Sequence, residues 1–374
     1  LCVLAFQLVA SLAMARVNVV TLPGRDSVQL TIYNSADLTL VKETRVLTFG
    51  KKLIVPWPLR RREGVRVESE RLDLDMSAMR WKLFRHLFKL AGAIRRARPD
   101  LIHLHEPQFA PVVRMANALA GGRPMVVHLH SLYGGRRGEM PMLQQRLERR
   151  TLARLPLIAC SRTILEGARQ WLGPTRRPIE LIEDGADDAP VADADDRLVE
   201  DLARAAKGRL VVAKMARLVP LKRIEDFLKA CRTLLDEGHP LFVLLMAYGK
   251  QRPAAELRER FNAAFAPEEG EFLFKAPAAA RLLSRVDVGV SASSLEGLGL
   301  NILEFQAAGV PVVCSDLPAH REMVEDGVNG LLFPPRDAAA LTAALRRLIQ
   351  DPELRRRLGE AGRASAGRRR WADT

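Results

Sequence analysis

The stretch "SSLEGLGLNILEFQAAGVPVV", Ser293–Val313, sets two glutamates, Glu296 and Glu304, into an otherwise apolar run. The residues leading into it, "VDVGVSAS" (286–293), read as a buried strand, and "NILEFQAAG" (301–309) reads as a helix closed by Gly309. "SLEGLG" is then the loop between them. In a parallel α/β sheet such a loop lies at the carboxyl edge of the strands, where ligands bind. Gly297 and Gly299 let the backbone approach a ligand closely, and the free N–H groups opening the next helix attract a phosphate. Glu296 falls at the strand end. Glu304, one turn into the helix, shares a face with Ala307 and Ala308, small residues that allow close packing on the sheet. A carboxylate placed there suits the paired hydroxyls of a ribose. Taken alone, the two glutamates are equally well explained by one solvated side chain and one that complements the helix dipole.

A second loop of the same kind precedes it. "ARLVPLKRIEDFLKA" follows the strand "LVVAKMA" (210–216) and opens a helix, placing Arg217 and Lys222 at the same sheet edge. Two cations there neutralise a diphosphate and stabilise the charge that grows on it as a sugar departs. An ordinary solvated basic loop is the plainer explanation for them in so basic a chain.

Outward from these loops the chain keeps alternating short apolar runs with helical periodicity, the signature of parallel α/β sheets. "VNVVTL", "LIHLH" and "MVVHLH" read as strands in the first half; "LFVLLMA" and "VPVVCS" join those already named in the second. "DGADDAPVADADDRL", Asp184–Leu198, is acidic and rich in alanine, and reads as a linker between two doubly wound domains. The expected division is residues 1–188 and 189–374. Asp351-Pro352 reads as the N-cap and first residue of the helix "PELRRRLGEAGRA". The closing "RRRLGEAGRASAGRRRW" reads as a solvated helix with a frayed end.

The 374 residues, 48% hydrophobic, suffice for two buried cores, and the net charge of +14 points to an anionic partner. Aromatic residues make up only 5%, which disfavours a single-strand nucleic-acid surface built on stacking. Cys2, Cys160, Cys231 and Cys314 lie far apart with no Cys-x-x-Cys pair, so a reducing cytoplasm fits better than a disulfide framework. The opening "LCVLAFQLVASLAMA" matches either the apolar part of a signal peptide ending at Ala13-Met14-Ala15 or a buried helix feeding "VNVVTLP". Its short length and lack of a basic leader favour the helix.

"RLVPLK" (217–222) and "SLEGLGLNILEFQAAGVPVVCSDLPAHREMVEDGVNGLLFPPRD" (294–337) resemble the retaining GT-B glycosyltransferases of family 4. "RPDLIHLHEP", "VVHLHS", "IACSRTILEG" and "IEDGADD" resemble that family's first-domain landmarks, in the right order. The resemblance implies two Rossmann-like domains facing across a cleft, the second holding a nucleotide diphosphate sugar. It implies that Arg217 and Lys222 grip the diphosphate, that Glu304 binds the ribose and that Glu296 contacts the transferred sugar. The backbone of Gly297, Leu298, Gly299, Leu300 and Asn301 then lies beside the phosphates, and His130 is the active-site histidine facing the sugar. No metal ion and no cofactor is implied. Leu298 stands where phenylalanine is usual, Asp184 where asparagine is usual, and "AYGK" where Gly-Asp-Gly is commoner. The family's opening strand with its glycine-rich loop and its closing crossover helix find no counterpart, so the chain is expected to lack both ends.

Two further features admit other chemistry. His103 with His105, and His128 with His130, form His-x-His pairs on adjacent strand candidates, and alternate residues share a strand face, so four imidazoles can converge on zinc. Lacking a carboxylate or cysteine at fixed spacing, they are read as core or cleft histidines. "MRWKLFRHLFKLAGAIRRARPD" carries Leu83, Phe84, Leu87, Phe88, Ala91 and Ile94 on one helical stripe, read as packing on the first sheet. Its Arg80, Lys82 and Arg85, with Arg60, Arg61 and Arg62, are candidates for an anionic membrane surface.

The resulting expectation is hexosyl transfer to an acceptor hydroxyl, with retention, in cell-envelope glycolipid or polysaccharide synthesis. A lipid-linked acceptor and a cytoplasmic site peripheral to the membrane go with it. A catalytically silent GT-B sugar-nucleotide binder, an epimerase on the same fold and a nucleic-acid binder motivated only by charge are the alternatives; nucleic acid is not the expected partner.

Overall fold

The computed structural model describes residues 29–34, 43–49, 66–72, 82–99, 101–105, 107–130, 132, 142–185, 197–249, 251–274 and 279–369. The chain divides into two compact units, Leu1–Asp184 and Gly185–Asp373. The expected strand "VNVVTL", the opening apolar run, Cys2, and Arg60, Arg61, Arg62 and Arg80 lie outside the described residues, as does most of the expected linker. Leu198, placed in that linker, belongs instead to the helix Arg197–Ala206, whose Val199, Leu202 and Ala206 are buried.

The first unit is built on a seven-stranded sheet. Its strands are β1 (Gln29–Asn34), β2 (Glu43–Phe49), β3 (Arg66–Leu72), β4 (Leu101–Leu104), β5 (Met125–Leu129), β6 (Leu157–Ala159) and β7 (Ile179–Leu181). The spatial order is β3-β2-β1-β4-β5-β6-β7. From β4 to β7 all pairs are parallel, as expected. β1 runs antiparallel to both β2 and β4, so this sheet is mixed. β4 and β5 are buried along their whole length, the state of strands covered on both faces.

The helix Lys82–Ala97 covers part of this unit and corrects one expectation. Leu87, Leu90, Ala91, Ala93, Ile94 and Ala97 are buried, whereas Phe88 is 63% exposed. At about 100° per residue Phe88 lies a quarter turn round from Leu87, away from the Leu87-Leu90-Ala91-Ile94 face that does the packing. Lys82 and Arg85 fall in the first turn of this helix, their side chains outside the described residues.

The second unit is built on a wholly parallel six-stranded sheet. Its strands are β8 (Leu210–Arg217), β9 (Leu241–Tyr248), β10 (Gly270–Phe274), β11 (Val288–Ser291), β12 (Val312–Ser315) and β13 (Leu331–Phe333). The chain starts at the central β8 and moves outward through β9 and β10. It then crosses back to β11 on the other side of β8 and continues through β12 and β13. β8 and β11 are therefore neighbours whose following helices leave in opposite directions, the switch point at which open α/β sheets bind ligands.

Packing fixes the helix Leu300–Ala307 at that point. A Cβ on Gly289 of β11 would stand 2.5 Å from the Phe305 ring, so glycine there lets Phe305 lie flat on the strand. The helix Pro352–Ala366 holds the other end of this segment. Asp351 caps it through its carboxylate and Leu354 N–H at 2.9 Å, as expected, with Pro352 in the first turn. It is not simply solvated: Leu358, Gly359, Gly362 and Ala366 are buried. A Cβ on Gly359 would stand 2.3 Å from the Gly309 carbonyl oxygen, and Arg363 donates to the Ala308 carbonyl at 2.8 Å.

Candidate functional site

The loops after β8 and β11 meet at the carboxyl edge of the second sheet. Ser294 N–H donates to the Leu221 carbonyl at 2.8 Å, joining the two backbones. Beside that bond Lys222 Nζ donates to Glu296 Oε2, and the Ser293 hydroxyl donates to the same oxygen at 3.1 Å. Both side chains of the ion pair are only 14% exposed. Burial by itself would raise the Glu296 carboxyl; the Lys222 ammonium and the Ser293 hydroxyl outweigh it and hold the group below its ordinary range.

Arg217 ends β8 beside Tyr248 of β9 and makes no ion pair among the described residues. Its charge is available to an anion at the strand edge. The Leu218 N–H donates to the Tyr248 carbonyl at 2.9 Å, which keeps this corner closed. Lys222 lies in a short 3-10 turn, Pro220–Lys222.

The helix Leu300–Ala307 starts from Gly299, at φ 94° and ψ 50°, with no side chain capping it. Asp337, Ser161 and Asp351 cap three other helices with their side chains. Ile302 N–H donates back to the Gly299 carbonyl at 2.8 Å, and no side chain caps the Leu300 and Asn301 N–H groups, which lie in the same loop-to-helix segment as Glu296. Gly299 is required by more than its backbone angle: a Cβ there would stand 3.2 Å from both His320 and Met323. Gly297 has no such left-handed backbone. The Leu298 side chain is buried.

Glu304 stands one turn into this helix and is exposed. Crowding by surrounding protein raises its carboxyl, to about 7, while the open edge that water reaches argues for a smaller rise than a sealed carboxyl shows. Three neighbours escaped the sequence reading. Ser293 is a short polar residue at a strand end with nothing to mark it. His320, fully buried, sits against Gly299, and its Nδ1 donates to the Ser315 carbonyl at 2.6 Å. Lys214, 1% exposed within β8, interrupts an apolar strand run and was the one visible signal. Burial lowers its ammonium to about 7, with Lys222 adding to the effect and Glu296 and Asp226 opposing it.

In the first unit His130 follows β5 at the carboxyl edge. Its Nε2 is 3.2 Å from His105 Nδ1, and its Nδ1 is 3.9 Å from Asp184 Oδ2. The ring is therefore engaged with histidine and aspartate neighbours. His103, His105, His128 and His130 do converge: ring centroids are 4.1 Å apart for His103–His105, 4.0 Å for His128–His130 and 5.4 Å for His103–His128. Burial keeps all four rings neutral, with His103 lowered to about 4 and His130 to about 3. Burial raises the Asp184 carboxyl to about 7, against a smaller lowering by a hydrogen bond from Cys160. Cys160, Cys231 and Cys314 are buried and not in disulfides. No helix among the described residues is long and apolar enough to cross a membrane.

Residues 9–189 match the sequence profile described as Glycosyltransferase Family 4, and residues 200–365 match Glycosyl transferases group 1. The D-inositol 3-phosphate glycosyltransferase of Nocardia farcinica is 33% identical over 225 residues, covering 56% of this chain and 49% of that protein. The phosphatidyl-myo-inositol mannosyltransferase of Mycobacterium leprae is 43% identical over 77 residues, 21% of each chain. The matched stretches thus span half or less of these curated relatives. Among solved structures, Anabaena HepE in complex with UDP and glucose superposes with a TM-score of 0.68 at 21% identity, covering 82% of this chain and 83% of that one. Sucrose-phosphate synthase from Thermosynechococcus elongatus superposes at 0.66 and 22% identity, covering 81% and 79%. With two such units, this strand order and these matches along nearly its whole length, the chain belongs to the family 4 glycosyltransferases of the GT-B fold.

Proposed function

We propose that this chain transfers a hexosyl group from a nucleoside diphosphate sugar to an acceptor hydroxyl, with retention of anomeric configuration. The observation that carries the reading is the meeting of Lys222, Glu296 and an uncapped helix start at the switch point between β8 and β11. Residues 189–374 hold the donor and residues 1–188 select the acceptor. A UDP-sugar is the first donor to test, because the Anabaena structures hold UDP, UDP and glucose, or UDP-glucose.

In this reading Arg217, Lys222 and the N–H groups of Gly297, Leu298, Gly299, Leu300 and Asn301 face the diphosphate. Glu304 accepts hydrogen bonds from the ribose hydroxyls. The bond between the anomeric carbon and the β-phosphate oxygen breaks, and its electron pair leaves with the diphosphate. Arg217, Lys222 and the helix start stabilise that charge. The acceptor oxygen bonds to the anomeric carbon on the same face, and its proton passes to the departing phosphate oxygen. Glu296 positions the sugar as positive charge develops on it. His130 serves from the acceptor side. No metal or cofactor takes part in these steps. A lipid-linked envelope acceptor at the cytoplasmic membrane face goes with the basic helix Lys82–Ala97 and its exposed Phe88.

The test is nucleotide release from UDP-glucose, GDP-mannose and ADP-glucose, with the anomeric configuration of the product followed by NMR. One donor family is expected to turn over, with retention, and Lys222→Ala is expected to slow it about 100-fold or more. An inverted product contradicts the mechanism, and neither turnover nor binding with any donor contradicts the function.

A further inference from the structure

By sequence the two His-x-His pairs lack a carboxylate or cysteine at fixed spacing. The fold supplies one. β4 and β5 are adjacent and parallel, which puts the pairs His103/His105 and His128/His130 side by side, and Asp184 follows β7 at the same sheet edge. His103, His105 and His128 are buried, and each offers a ligand atom within 4.8 Å of the other two. Among the described residues, His105 Nε2 and both ring nitrogens of His128 are buried without a hydrogen-bond partner. An imidazole carries one donor and one acceptor, so leaving both sealed and unpaired is costly unless something else binds there.

The contacts at the rim choose the lone pairs. With His130 Nδ1–H facing Asp184, His130 Nε2 accepts from His105 Nδ1–H. That leaves His105 Nε2, the buried atom without a partner, as a bare lone pair. A ligating histidine oriented through its other nitrogen, with a carboxylate at the end of the chain of contacts, is how protein metal sites fix their imidazoles.

We propose that His103, His105 and His128 bind a divalent transition-metal ion, with His130 and Asp184 as the outer residues that orient His105. Three neutral imidazoles suit zinc, copper, nickel or cobalt and not magnesium or calcium. Zinc at about 2.0–2.1 Å from each nitrogen draws the rings closer than their present spacing, which small side-chain rotations supply, and leaves a fourth position open. The site lies in the first unit and does not depend on the sugar-nucleotide reading, because metal content is measured without donor or turnover.

The experiment is titration of zinc into the full chain after chelator treatment, followed by calorimetry, with X-ray absorption at the zinc edge of the loaded protein. About one ion per chain is expected, with three imidazole ligands in the absorption spectrum. His128→Gln and His105→Gln are expected to weaken binding at least 100-fold. Asp184→Asn is expected to weaken it about 10–100-fold, the usual effect of losing an outer-shell partner. His239→Gln, in the other unit, is expected to leave it unchanged. Circular dichroism checks that each variant folds, and the wild-type spectrum decides the matter where one does not. No zinc uptake by wild type, fewer than two imidazole ligands in its spectrum, or uptake indifferent to His128→Gln in a folded variant overturns the proposal.

Discussion

Lys222 and Glu296, 74 residues apart, close an ion pair between the loops that follow β8 and β11. The pair lies where the sheet's winding reverses, and each charge holds the other in a place poor in water. Removing the ammonium leaves a largely buried carboxylate, so Lys222→Ala is expected to cost about 3 kcal/mol of stability. Denaturant unfolding at neutral pH measures it.

The same pair sets an acid limit. The folded Glu296 carboxyl titrates below its ordinary 4.5, so it binds fewer protons than the unfolded chain does. Its stabilisation is complete above about 4.5 and is lost as pH falls through the lower folded value. Glu296→Gln is expected to flatten stability against pH below about 4.5, while leaving the slope above it as in wild type. Thermal unfolding from pH 3 to 7 reads this directly.

Lys214 predicts a slope of the same sign in a higher pH window. Its folded ammonium titrates near 7 against 10.5 in the unfolded chain, so between those values the unfolded state holds more protons and stability rises with pH. Lys214→Met is expected to stabilise the protein by about 1–4 kcal/mol at pH 6, with a gain that shrinks towards pH 10. Unfolding measured at both values checks the sign.

Gly359 faces the Gly309 carbonyl with no room for a methyl group. Gly359→Ala is expected to cost about 1–3 kcal/mol and to loosen the end of the Glu304 helix. Nucleotide affinity falls with it, whereas Gly92→Ala, in the first unit with only the end of the Arg96 side chain near its Cβ, leaves affinity unchanged.

Much of the candidate site in the second unit was legible because glycines and charges interrupt apolar runs at strand ends, as at Arg217, Lys222, Glu296 and Gly299. That Lys222 and Glu296 pair was not, since it depends on β8 and β11 becoming neighbours across an intervening crossover. The histidines show the same limit. Alternation put each pair on one strand face, yet the adjacency of β4 to β5 and the arrival of Asp184 are properties of the whole sheet. Short strands such as β7 and β13 carry too few residues to show a period. Phe88 misled because an apolar residue can satisfy a broad helical stripe and still stand a quarter turn outside the contact face. Lys214 was visible as a charge in an apolar run and passed over, its burial being decided by the strands on either side.

The central claim is that the second unit binds a nucleoside diphosphate through Glu304 and Lys222. Calorimetric titration of UDP, GDP and ADP into the full chain and into Glu304→Ala and Lys222→Ala variants tests it most directly. The account predicts micromolar binding of one of the three, weakened about 10-fold or more by each substitution. Binding that neither folded variant changes, or no binding by any of the three, would contradict it.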